Sequence, residues 1–82
     1  MNNLKDTVEL MESEDFKDRF RAEYFQLCIR IEKLSAIIDN YEALSFTPKT
    51  PKKILQGQLK FMIKYLEYLQ MRAQIEDIDI SE

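Results

Sequence analysis

The sequence predicts an all-α fold: a long antiparallel helical hairpin with a short N-terminal helix, assembling into a homo-oligomeric bundle. Three observations predict it. Apolar residues recur at alternating spacings of four and three over two long stretches, the period of an a/d seam. Between them lies Phe46-Thr47-Pro48-Lys49-Thr50-Pro51-Lys52-Lys53, where that periodicity stops. Each stretch also carries a second apolar row, so its apolar face is wider than one partner helix covers.

The chain reads as one domain over residues 1–82. A short helix is expected over about 2–12, where Leu4, Val8 and Met11 share a face and Asn2 or Asn3 caps it. Ser13 or Asp15 caps the next helix, expected over about 14–44. Its seam is Phe20, Tyr24, Leu27, Ile31, Leu34, Ile38 and Tyr41, with Phe16 and Leu44 extending it. Phe25, Ile29 and Ala36 form the row beside it. A turn follows over 45–50. Pro48 biases Thr47 away from the α region, Thr50 is suited to N-cap the last helix, and Pro51 suits its first position.

That last helix is expected over about 51–77. Leu55, Leu59, Met62, Leu66, Leu69 and Ala73 answer the first seam. A parallel row holds Ile54, Phe61, Tyr65, Tyr68 and Ile75, with Gln58 and Arg72 completing it. Tyrosine joins an apolar ring to a hydroxyl that wants a bond, which suits interfaces better than dry cores. Gly57 is the one glycine, and inside a helix it costs about 1 kcal/mol relative to alanine. It marks either close approach to the backbone or simple tolerance. The tail, residues 78–82, alternates acid and isoleucine from Asp77 on; it either pairs, docks or frays.

Composition narrows the function classes. Hydrophobic residues make up 45% of the chain, which argues against disorder. With one cysteine and no histidine, an intrachain disulfide is excluded, and the commonest metal ligand and general base are missing. No metal site, cofactor or enzymatic activity is expected. A net charge of −3 does not suit generic DNA or RNA binding. No membrane span and no signal peptide are legible, so the expected location is cytoplasmic. Self-association is the remaining way to stabilise so small a scaffold.

Two candidate sites stand out. Lys49, Thr50, Lys52, Lys53, Gly57 and Lys60 gather around a helix N-terminus and one lysine face, which suits phosphate groups; the alternative is a solvated face. Phe61, Tyr65, Tyr68 and Arg72 form an aromatic row that either stacks a base or packs against another subunit. Acidic clusters at both ends (Glu9, Glu12, Glu14, Asp15 and Asp18; Glu76, Asp77, Asp79 and Glu82) lack the spacing of a calcium loop and read mainly as solubilising.

The segments DFKDRFRAEYFQLCIRIEKLSAII and LSFTPKTPKKILQGQLKFMIKYLEYLQMRAQIEDI carry a resemblance. Their F-T-P-x-x-P turn is followed by Leu55, Gln58, Leu59, Met62, Tyr65, Leu66, Leu69, Arg72 and Ala73. Over residues 15–80 the chain resembles small helical-hairpin proteins of phages and prophages, including a family named from crAss-like phage. In layout it is similar to the phage anti-CBASS sponges, which assemble into oligomers and bind cyclic oligonucleotides. Their Q-x-G-F-M signature is replaced here by Leu55-Gln56-Gly57-Gln58-Leu59-Lys60-Phe61-Met62, so no ligand residue carries across.

The resemblance implies an oligomeric anti-defence protein of the host cytoplasm that sequesters a cyclic nucleotide or related signal without turnover. The lysines would hold phosphates, and Tyr65 or Tyr68 of a neighbouring subunit would stack a base. The alternatives are an acidic inhibitor or adaptor that binds a host protein directly, and a purely structural oligomerisation module.

Overall fold

The computed structural model describes Leu4, residues 15–46 and residues 48–81. Among these residues the regular structure is helical. Helix α1 spans Phe16–Asp39 and helix α2 spans Lys52–Ile75. A 3-10 turn at Tyr41–Ala43 lies between them. The short helix expected over about 2–12 lies outside the described residues, Leu4 apart.

Helix α1 starts where an acidic cap puts it. Asp15 is extended, and its carboxylate accepts from the Lys17 backbone N–H at 2.7 Å, filling one of the orphan donors of the first turn. The helix ends five residues before the expected Leu44. Asn40 leaves the helical region, and both its backbone N–H and its side-chain amide donate to the Ala36 carbonyl. That closes the last turn and releases Tyr41 and Leu44 from the seam. The spacing of Tyr41 fits a longer helix, but its hydroxyl instead donates to the Thr50 carbonyl across the turn at 2.9 Å.

Helix α2 starts one residue later than expected. Pro51, not Thr50, occupies the cap position, and no side chain caps it. Pro51 is extended, and its carbonyl accepts from Ile54 and Leu55. Thr50 therefore sits one residue outside the helix, where it cannot act as the N-cap, and its carbonyl serves Tyr41.

The helices are antiparallel, as their cross-contacts show. Lys17 donates to the Asp77 carbonyl, Arg72 lies over the Phe20 ring, and Gln70 meets Tyr24. At the other end Lys52 meets Glu42. Between them, Phe20, Leu27, Leu69, Ala73 and Ile78 form a buried cluster. Tyr24, Ile31, Met62 and Leu66 pack against it, so the predicted seams face inward from Phe20 to Ile31 and from Met62 to Ala73. Fully burying a residue such as Leu69 stabilises the fold by roughly 1.5–3 kcal/mol. Ala22, Phe25 and Ile29 are buried outside that cluster.

Among the described residues the tail docks on the helix ends and forms no strand. Glu76 donates to the Arg72 carbonyl and Ile78 to the Ala73 carbonyl, each at 2.8 Å. Asp77 between them has φ 57°. This is a Schellman ending, in which a left-handed residue reverses the chain and its successor packs back on the helix. It puts Ile78 into the core cluster, with Ile80 against it.

Candidate functional site

The turn between the helices contains a cleft of about 320 Å³ lined by Tyr41, Glu42, Leu44, Phe46, Pro48 and Lys52. Its walls follow from the early end of α1. Once Asn40 stops the helix, Tyr41 and Leu44 become lining residues rather than core. Phe46 is 66% exposed, in a bend two residues before Pro48. The cleft is thus apolar on most sides and borders the start of α2, because Lys52 is both a wall residue and the first residue of that helix.

That helix start is electropositive. Pro51 has no N–H, and among the described residues the backbone N–H groups of Lys52 and Lys53 have no acceptor. Such groups favour an anion, helped by the helix dipole. Lys49 and Lys53 are exposed nearby and pair with no acid among the described residues. Lys52 differs: its ammonium meets the Glu42 carboxylate at 2.9 Å. The hydrogen bond from Lys52 holds the Glu42 carboxyl below the usual range.

The other predicted site residues fall elsewhere. Lys60 lies eight residues along α2 from Lys52, about 12 Å away by helical rise. It lines an open groove with Gln56, Leu59, Ile63, Lys64 and Glu67, so it does not join the turn. Gly57 is in open space, with nothing within 4 Å of where a Cβ would sit; among the described residues no close backbone approach accounts for it. Phe61, Tyr65 and Tyr68 are exposed. Arg72, expected on the same row as a stacking group, is engaged within the chain. Its guanidinium lies 5.0 Å from the Phe20 ring centroid, and its Nε meets Glu76 at 3.1 Å.

A family model described as Sequestin matches residues 14–75. The chain belongs to the Sequestin family. No curated protein and no solved structure matches. The Sequestin match covers α1, the turn and α2 together, and so includes every cleft residue and the exposed aromatic row. It stops before Ile78, leaving the docked tail outside the matched region.

Tyr41, Glu42, Leu44 and Phe46 are missed by reading the Sequestin chain as sequence alone. The signal that points to them is Asn40, a residue that often ends helices, followed by a phenylalanine stranded in a proline-rich turn. Among the described residues no cluster of His, Cys, Asp or Glu is arranged to hold a metal ion, and no helix is long and apolar enough to cross a membrane.

Proposed function

We propose that this protein binds a small nucleotide signal at its turn and holds it without turnover, as a phage-type anti-defence protein acting in the host cytoplasm. The observation that carries this reading is the uncapped start of α2 bordering an apolar cleft. A phosphate takes the Lys52 and Lys53 N–H groups and the Lys49 and Lys53 side chains. A base lies against Phe46 and Tyr41. The ligand's charge also competes with Glu42 for Lys52. The family's name, which denotes sequestration, and the likeness to sponge proteins support the same reading.

Thermal unfolding with cyclic dinucleotides, larger cyclic oligonucleotides and NAD-derived signals tests it. Native-state binding adds about 2.7 kcal/mol of stability at a ligand concentration one hundred times Kd. One class should raise Tm, Lys53→Glu should remove that shift, and the ligand recovered after denaturation should be unchanged. A flat response to every class would sink the proposal. Capture of a host protein in that case would favour direct inhibition instead.

A further inference from the structure

Ile54, Phe61, Tyr65, Tyr68 and Ile75 share one face of α2 and are 59, 72, 46, 58 and 82% exposed. None belongs to the core cluster. Interrupted only at Gln58 and Arg72, an exposed apolar row of this kind marks an interaction surface. Three features choose its occupant.

The first is the row's own symmetry. Tyr65 sits near its middle, Phe61 and Tyr68 flank it, and Ile54 and Ile75 end it. A reversed copy therefore meets aromatic rings with aromatic rings and isoleucine with isoleucine. The second is charge. Residues 49–63 carry Lys49, Lys52, Lys53 and Lys60 and no acid. Residues 64–81 carry Glu67, Glu76, Asp77 and Asp79 against only Lys64 and Arg72. Laid head to tail, two copies set the basic end of each against the acidic end of the other; laid parallel, they set like against like. The third is area. At these exposures each side chain offers on the order of 100 Å², so two copies remove roughly 1,000 Å², the threshold for a specific interface.

We propose that two copies of this chain pair antiparallel through this row, with Tyr65 near the twofold axis. The pairing stands whether or not the turn binds a nucleotide. It brings the C-terminal end of α2 of the second copy beside the Lys49–Lys53 corner of the first, so each turn gains a second wall.

Light scattering at micromolar concentration tests the pairing, and spin labels test its direction. The expected mass is twice the 9.8 kDa of one chain. Tyr65→Asp should raise the dimer dissociation constant at least tenfold with helical circular dichroism retained. Phe61→Glu should do the same, so that neither result depends on one variant folding. Nitroxides at Lys53→Cys in a Cys28→Ser background should sit about 35 Å apart, since helical rise separates the two ends of an antiparallel pair. A single-chain mass for the unaltered protein overturns the proposal. So does a dimer that both variants leave intact, or a label separation near 10 Å, the signature of parallel helices.

Discussion

Gly57 breaks a run of good helix formers, and a methyl group built there meets no atom within 4 Å. Its helical backbone has no positive φ to protect. Gly57→Ala should therefore raise stability by about 1 kcal/mol, the helix-propensity difference. Urea denaturation at a concentration where the chain is single measures it; a loss there would mean that the open face is filled from within the chain, whereas pairing through the Ile54–Ile75 row, on which Gly57 lies, should shrink the gain only at higher concentration. Thr50 gives the opposite lesson. It is the better cap by residue type, yet its hydroxyl sits one position too early. Thr50→Ala should change stability by less than about 0.5 kcal/mol, as surface substitutions usually do. A cost near 1 kcal/mol in the same assay would restore it as the cap. Cys28 is half-buried, and desolvation pushes its thiol above the ordinary value despite a hydrogen bond with Tyr24. The fold favours the neutral thiol, so that preference holds at neutral pH and is lost as pH rises through the thiol's range.

At the scale of elements, the end of α2 departs most from sequence expectation. Left-handed Asp77 stands where glycine is usual, so no glycine marks the reversal. The alternation of acid and isoleucine suits a short strand or a loose tail equally well. Contact with the hairpin decides it: Ile78 is 6% exposed and packs with Phe20, Leu69 and Ala73. Lys17 fastens the same corner through the Asp77 carbonyl at 3.1 Å. Ile78→Ala should cost about 2–4 kcal/mol, since buried isoleucine truncations leave both lost transfer energy and a cavity. Chemical denaturation read by circular dichroism would show it. An unchanged midpoint would mean that the tail is detached in solution.

At the scale of the molecule, the turn combines charge and apolar surface that neither helix supplies alone. Glu42 tempers it by holding Lys52. Because that contact lowers the Glu42 pKa, its contribution is present above the ordinary carboxylate range. It is lost as pH falls through the lowered value. Glu42→Gln should free Lys52 and tighten binding of an anionic nucleotide severalfold at neutral pH, measured by titration calorimetry. Weaker binding would show that Glu42 contacts the ligand itself. The substitution leaves the α2 row untouched and should not change the oligomeric mass.

By itself the sequence determined the two long helices, the faces they turn to each other and the surplus aromatic row. These follow from spacing, because a helix places residues three and four apart on one face wherever it sits. It also placed lysines at the start of the second helix. Only the tertiary structure decided where α1 stops, which residue starts α2, what the tail does and that Tyr41 and Phe46 line a cleft. The physical reason is that these positions are locally ambiguous. Tyr41 satisfies a helical seam as well as a turn, and Ile78 satisfies a strand as well as a helix ending. Their states are settled by contacts beyond the local helical period: the Thr50 carbonyl nine residues on for Tyr41, and Phe20 with Lys17, some 60 residues back, for the corner that holds Ile78.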